Sequence, residues 1–402
     1  MPRRLWMTAD TARDSPVGPA LDGQPAWACL ALQLLSERAA GASSFWAPYI
    51  SCLPQAPDLP MLWPDSDKAL LVGTQLGAAV AGYDAYCSDA WASLSPVLSS
   101  RPALFPPAVF NEDAWKWAFA TLRCRCLRPL DGGEAVALVP GLDLLNHSSA
   151  ADAPPVLVLS EPSGGLFGSG AVVGAGAAHV VSRPHEIGEQ LLGCYGDALS
   201  DAQTALDWGF VFGSPAFSLQ LSLPPDDRFL DDKADVLDVA RVAQSPTFSL
   251  RPGSPPPADL RAFLRLIQLS GTDAFLLEPL FRDTAWATLN DPVSLANETA
   301  ALSGAVEGIR EALEGYPNGA SLRDDEAALR DPSLSKRTAL ALSVRCGEKR
   351  ALLAAAEAFS DALASAPRLE FYQERRLRSL KLLDDDGRCV ETRGGGRGAR
   401  VV

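Results

Sequence analysis

Three groups of residues have types and spacing that could do chemistry. The first is the segment PGLDLLNHS, which sets Asp143, Asn146 and His147 just after a strand-like run. About fifty residues later comes GEQLLGCYGDALSDAQTALDWGFVF, residues 188–212, with Tyr195, Trp208 and Phe210. An amide, an imidazole and a phenol in this order, downstream of WKWAFATLRCRC, form the most specific constellation in the chain. The second group is GSGAVVG at 168–174, with Glu189 about twenty residues on. It echoes a phosphate-cradling loop of a dinucleotide enzyme. Its spacing is G-x-G-x-x-x-G, however, and AGAAHVVSRP follows where a helix N-terminus is required, so the reading favoured here is a Gly/Ala insertion between strands. The third is hydrolytic chemistry. With three histidines (His147, His179, His185), no G-x-S-x-G elbow and no H-E-x-x-H, neither a nucleophilic serine nor a zinc hydrolase has an anchor, and no metal site is expected.

The elements that must hold these residues can be read in outline. In PAWACLALQLLSERAAG, Trp27, Leu30, Leu32, Leu34 and Leu35 cluster apolar surface, and Gly41 offers a stop. Residues 43–64 carry five prolines and cannot form one helix. The run from Ala69 to Tyr83 is apolar but interrupted by Thr74 and Gln75, and it reads as a buried helix. Asn111 is a candidate N-cap with Glu112 and Asp113 behind it, and Trp115, Phe119 and Leu122 share one face. From 130 to 215 the texture turns to short β-branched runs, AVALVP and PPVLVLS, bounded by Gly, Pro and Asp. Beyond Gly213-Ser214-Pro215 the chain becomes helical: Leu260, Phe263, Leu264 and Ile267 are spaced i, i+3, i+4, i+7. Long Ala/Leu/Glu runs fill 294–315 and 335–365, and a Gly/Arg-rich tail ends the chain. No internal repeat is seen.

Composition narrows the function. The chain has 402 residues, 47% hydrophobic and 21% charged, which suits two or three globular domains. Its net charge of −14 repels phosphate backbones, so nucleic acid is not the expected partner. No stretch reaches the roughly 18 apolar residues a bilayer span needs, and the N-terminus lacks the apolar core of a signal peptide. Eight scattered cysteines without a C-x-x-C pair point to a reduced intracellular compartment rather than a disulfide scaffold.

The chain resembles the SET-domain protein methyltransferases of the Rubisco large-subunit methyltransferase class, which use S-adenosylmethionine. The family's D-x-x-N-H signature resembles Asp143, Asn146 and His147. Its Gly-Glu, strand, Tyr-Gly run resembles Gly188, Glu189, Tyr195 and Gly196. Its Ser-Asn-Ala-Glu and Tyr-Gly-Phe segment is similar to Ser200 to Gln203 followed by Trp208, Gly209 and Phe210, and its arginine after the insert helix to Arg125. Ser44 to Tyr49 and Leu53-Pro54 match the insert. Residues 264–267, Asn297-Glu298, Tyr316-Pro317, Asp324 onward and Arg345 to Lys349 match the C-terminal domain.

The resemblance implies an α+β fold with a SET-domain β-rich core at 1–215, holding a helical insert at about 24–120. An all-α substrate-binding domain follows at 216–385, and then the tail at 386–402. It implies an S-adenosylmethionine-dependent protein-lysine N-methyltransferase acting on a non-histone protein, in chloroplast, cytoplasm or nucleus. The alternative is a catalytically impaired relative that serves as a protein-binding module. In this reading Tyr195 is catalytic and orients the amine. Arg125, Asn146, His147 and Phe210 hold the cofactor, while Arg125, Asp143, Tyr195 and Trp208 bind the substrate. Three departures stand out. Trp208 replaces a tyrosine and narrows the acceptor channel, Asp201 replaces an asparagine, and Leu127 stands where the actin-histidine branch has a polar residue. The family also opens with a Gly-x-Gly strand pair ending at Val-Pro, and Met1-Pro2-Arg3-Arg4-Leu5 aligns with that end. The expectation is therefore a truncated version of a longer protein, one β-hairpin short.

Overall fold

The computed structural model describes residues 3–127, 136–148, 158–160, 176–196, 198–317 and 321–382. The chain divides into two compact units. The first comprises Met1–Ser214 with Glu326–Arg345, and the second Pro215–Asp325 with Cys346–Val402.

The first unit is built on helices set by apolar runs and, in places, by side-chain caps. Ala26–Ala40 buries Ala28 to Leu35 as one continuous run and stops at Gly41. Glu112–Arg125 opens on Asn111, whose side chain accepts the Ala114 N–H at 3.0 Å, and it buries Trp115, Phe119 and Leu122 as the spacing predicts. The stretch from Ala69 to Tyr83 is not one buried helix. A short 3-10 turn covers Ala69–Leu71, and the long helix Gln75–Ser99 begins afresh after Thr74. Thr74 Oγ1 accepts from Gly77 N at 3.0 Å and donates to the Leu71 carbonyl at 2.6 Å, so its hydroxyl caps a new helix and closes the old turn. That helix buries Leu76, Val80, Cys87, Leu94 and Leu98 and leaves its other face to solvent.

Strands in the first unit are short and meet in pairs among the described residues. β1 (Met7–Thr8) is antiparallel to β2 (Ala137–Leu138), and β3 (Asn146–His147) runs parallel to β6 (Leu192–Gly193). β4 (Val158–Ser160) is antiparallel to β5 (Gly176–Ala178). The core between the helices also takes in Leu340, Ala341 and Val344. Arg337, nearby in sequence, bonds Asp58 at 2.9 Å and Asp67 at 2.7 Å. The glycine segment 168–174 and the tail beyond residue 382 lie outside the described residues.

Among its described residues the second unit is helical apart from one antiparallel pair, β7 (Phe217–Gln220) with β8 (Thr247–Leu250), in register from Phe217↔Leu250 to Gln220↔Thr247. Its helices include Leu230–Ala240, Ala258–Ile267 and Leu295–Glu314. Lys336–Ser365 gives this unit its residues from Cys346 onward. Buried ion pairs fasten them. The Arg265 guanidinium grips both Glu298 oxygens, at 2.6 and 2.9 Å, and donates to the Leu289 and Asn290 carbonyls at 2.8 Å. Lys349 reaches Asp325 at 2.6 Å, and the Tyr316 hydroxyl donates to Glu348 at 2.7 Å. Residues that resemble the family's C-terminal motifs therefore serve this unit as internal polar ties. Glu298→Ala strands the buried Arg265 charge and is expected to cost about 3–5 kcal/mol, read as a lower urea midpoint for the second unit. An unchanged midpoint would contradict the bidentate pairing.

Candidate active site

Three segments of the first unit converge on one short loop. The helix Glu112–Arg125 ends at Arg125, which points a guanidinium N–H at the main-chain oxygen of Asp143, 2.9 Å away. The short helix Ala47–Ile50 supplies Tyr49, whose hydroxyl donates to Asp143 Oδ2 at 2.6 Å. The other carboxylate oxygen, Oδ1, accepts from Gly141 N at 3.1 Å. Two residues further on, the Leu145 carbonyl accepts from the Tyr195 hydroxyl at 2.6 Å. The loop then becomes β3, and the parallel pairing places Asn146 opposite Leu192 and His147 opposite Gly193.

Aromatic rings wall this arrangement. The Tyr195 ring lies 5.1 Å from His147 and 4.8 Å from Trp208, between centroids. His147 in turn meets Phe210 at 6.0 Å and Phe212, edge to face, at 4.9 Å. The Tyr195 backbone N–H donates to His147 Nδ1 at 3.2 Å, which fixes the neutral ring with its proton on Nε2. Burial holds the imidazole below its ordinary value, against the opposing pull of the Gly193 backbone, so the neutral form prevails at physiological pH.

Local sequence explains the placement. Ser200 caps the helix Asp201–Trp208 by accepting from Gln203 N at 3.2 Å. Gly209 ends that helix at φ +73°, and a Cβ there would sit 2.5 Å from the Asp58 carbonyl oxygen, so no larger residue fits. Asp201 gathers the returning chain. Its Oδ1 accepts from three consecutive main-chain N–H groups, Phe212 at 3.1 Å, Gly213 at 2.9 Å and Ser214 at 3.0 Å. The carboxylate in place of asparagine thus holds the returning chain through one oxygen, which brings Phe212 to His147. On the same helix Asp207 ties back to Arg123 at 2.6 and 2.9 Å.

Charges are perturbed where water is excluded. Burial pushes the Asp143 carboxyl up to about 6, against the lowering pull of the Tyr49 hydroxyl, the Arg125 guanidinium and backbone N–H donors. The Tyr195 phenol is also raised, chiefly by burial, with Arg125 pulling the other way. Two nitrogens, Arg125 Nε and His147 Nε2, are buried without a hydrogen-bond partner, an unfavourable condition for donors. Among the described residues no cluster of His, Cys, Asp and Glu could hold a metal ion.

Of the residues singled out from sequence, Arg125, Asp143, His147, Tyr195, Trp208 and Phe210 come together. Asn146 enters through its main chain, with its side chain exposed on the opposite face of β3. Sequence reasoning missed three participants: Tyr49, Phe212 and the Leu145 carbonyl. The Ser-Phe-Trp-x-x-Tyr element contained the signal for Tyr49. Nothing marked Phe212, whose role depends on the Asp201 turn.

Comparison with known proteins identifies the family. Residues 224–352 match the family described as Rubisco LSMT substrate-binding. The chain is 33% identical to the chloroplastic [fructose-bisphosphate aldolase]-lysine N-methyltransferase of Arabidopsis thaliana, over 97% of this chain and 80% of that protein. It is 31% identical to the chloroplastic Rubisco large subunit N-methyltransferase of Nicotiana tabacum, over 97% of this chain and 78% of that protein. The crystal structure of the SET domain of LSMT bound to lysine and AdoHcy superposes with a TM-score of 0.83 at 32% identity, covering 96% of this chain and 86% of that one. The chain belongs to the SET-domain protein methyltransferases of the Rubisco large-subunit methyltransferase class, enzymes that take their methyl group from S-adenosylmethionine. The buried, unpartnered nitrogens of Arg125 and His147 suit such a donor, which brings a carboxylate and ring acceptors.

The raised Asp143 carboxyl gives a signed stability test. Because the folded chain binds this proton more tightly than the unfolded one, the group's stabilising contribution is complete below about pH 4 and is lost as pH rises through about 6. Asp143→Asn removes the ionisation, and its amide can donate to the Tyr49 oxygen while its carbonyl accepts from Gly141. The variant is expected to melt higher than the wild type at pH 8, by up to about 3 kcal/mol, with the gap closing near pH 4. Equal melting curves at pH 8 would refute the desolvated carboxylate.

Proposed function

We propose that this chain methylates a lysine side chain of a non-histone protein. The observation that supports it most is the Tyr195 hydroxyl, fixed on the Leu145 carbonyl, with its ring tilted against those of His147 and Trp208. S-adenosylmethionine supplies an activated methyl group by in-line displacement. The protein's share is to hold the acceptor amine in line, keep it neutral and exclude water. An apolar surround lowers a lysine pKa by disfavouring the ammonium form. Trp208, at the position of a family tyrosine, adds apolar surface and no hydroxyl beside Tyr195. Asp143 and Trp208 border the acceptor channel in this reading, and Tyr195 orients the amine.

On the donor side, Arg125 pairs with the cofactor carboxylate in a charge-assisted contact. His147 offers its Nε2–H, Asn146 its main chain, and Phe210 an apolar wall. Leu127, whose N–H bonds the Ala137 carbonyl at 3.0 Å, packs against Trp6, Ala137 and Val139. An apolar residue there favours lysine over histidine as the acceptor.

Residues 1–215 are assigned as the SET domain with its helical insert at about 24–120. Residues 216–385 are assigned as the substrate-binding domain, with 386–402 as a tail. An intracellular setting accords with Cys29, Cys52, Cys87 and Cys124 as thiols. The plant relatives are chloroplastic. Among the described residues no helix is long and apolar enough to cross a membrane.

Two experiments test the reading. Incubation with S-adenosylmethionine and either fructose-bisphosphate aldolase or the Rubisco large subunit should place methyl groups on lysine by mass spectrometry. Tyr195→Phe should cut that rate on the order of 100-fold with the fold intact; unchanged turnover removes Tyr195 from the reaction. In calorimetry with S-adenosylmethionine, Arg125→Ala should weaken binding by about ten- to a hundredfold. No cofactor binding by the wild type would favour a binding module instead.

A further inference from the structure

The Asp143 carboxylate is an expensive group to bury, and bordering the acceptor channel does not by itself account for the hydrogen bonds that hold it. Its side chain forms no ion pair; the Arg125 guanidinium binds the main-chain oxygen. Both carboxylate oxygens are instead spent on neighbours, Tyr49 and Gly141. Tyr49 is 8% exposed and Asp143 5%, so this hydrogen bond forms away from water, where it is strong.

From sequence these two residues are 94 positions apart, and no other described side chain of the Ala47–Ile50 helix is hydrogen-bonded to the loop that carries Asp143. Following the loop forward shows what the bond fixes. Gly141 to Asp143 is clamped by Tyr49 and Arg125. Leu145 then presents its carbonyl to the Tyr195 hydroxyl, and Asn146 starts the parallel pairing with β6.

We infer that Tyr49 is a positioning residue for methyl transfer: its hydroxyl tethers the Asp143 carboxylate and thereby sets the loop whose Leu145 carbonyl orients Tyr195. The inference rests on the proposed methyl transfer at Tyr195 and adds to it a control point in the helical insert. Tyr49 touches neither donor nor acceptor in this arrangement and acts through Asp143.

The tether depends on ionisation. The groups that bear on the Asp143 and Tyr49 pair are the Arg125 guanidinium and Cys124 thiol of the helix Glu112–Arg125, Cys126 just beyond it, and the Tyr195 phenol after β6. Among them only Arg125 is cationic. Tyr49 is the first of the groups that favour the ionised carboxylate, so deleting its hydroxyl drives the carboxyl further up from about 6, toward neutrality in the physiological range.

The experiment compares the wild-type chain with Tyr49→Phe, Asp143→Asn and the double variant between pH 6 and pH 9, using a lysine-bearing protein substrate. Deprotonation of the acceptor amine shapes every profile alike, so the ratio of variant to wild-type kcat is the readout. For Tyr49→Phe the expected ratio is about one-tenth near pH 8, where the wild-type carboxylate is ionised and holds the phenol most strongly, climbing as pH falls through about 6, with KM for the protein substrate changed little. Against an Asp143→Asn background the same substitution should give a ratio that does not vary with pH. A flat Tyr49→Phe ratio, or one that climbs equally in the Asp143→Asn background, overturns the inference and leaves Tyr49 a packing residue.

A second arm needs no turnover. The side-chain carboxyl carbon of Asp143, followed by NMR in the labelled protein, should titrate near pH 6 and move upward in Tyr49→Phe; no movement also overturns the inference. If the wild type methylates no lysine, the proposed function fails, and the tether is then decided by this titration alone.

Discussion

A single desolvated carboxylate organises the first unit. Asp143 is buried at the meeting point of the insert helix, the Arg125 helix and the strand that carries His147, and it survives there because donors surround it on every oxygen. Leaving one of those acceptors unmet would cost more than the hydrogen bond itself contributes, since a buried unpaired charge loses its whole hydration. The loop from Gly141 to Leu145 consequently has little freedom. Its carbonyls face outward toward Arg125 and Tyr195 because its carboxylate is held from behind. The aromatic wall of Tyr195, His147, Trp208, Phe210 and Phe212 then packs on a backbone already fixed.

Much of this was legible in the residues before any coordinates. Caps and periodicity located the helices at Ala26, Glu112, Ala258 and Leu295, because side-chain hydroxyls, amides and apolar spacing act locally. The ordered set of Asp143, His147, Tyr195 and Trp208 was visible as a sequence pattern, Arg125 followed from the family resemblance, and these side chains do converge. The apolar run at 69–83 misled, since a threonine hydroxyl that caps a new helix outweighs a favourable average hydropathy. Tyr49, Phe212 and the Leu145 carbonyl were invisible as site groups for a different reason. Each acts through a contact made only once distant segments meet: 94 residues for Tyr49, and the Asp201 turn for Phe212. A main-chain carbonyl has no sequence signature at all.

The second unit solves a different problem with similar means. Its helices carry charged residues at positions that end up dry, and each finds a partner: Arg265 with Glu298, Lys349 with Asp325, Lys233 with Asp227. Such pairs add little net stability compared with apolar packing, but each tolerates only one alignment of its helices. A scaffold that must present a fixed face to a protein partner gains from that exclusivity. The single β7–β8 pair supplies Leu250 and Phe248 to the same interior, so the unit remains helical in character without being purely so.

The inclusion of residues 326–345 in the first unit has a consequence for how the molecule is made. Leu340, Ala341 and Val344 are buried with helices encoded near the amino terminus, and Arg337 is clasped by Asp58 and Asp67. During translation, the ribosome must release well over three hundred residues before that interior can close. Until then the nascent amino-terminal half holds an incomplete apolar seam, a natural station for chaperones. Maturation of the half that bears Tyr195 thus waits on the emergence of a sequence stretch lying beyond most of its sister unit.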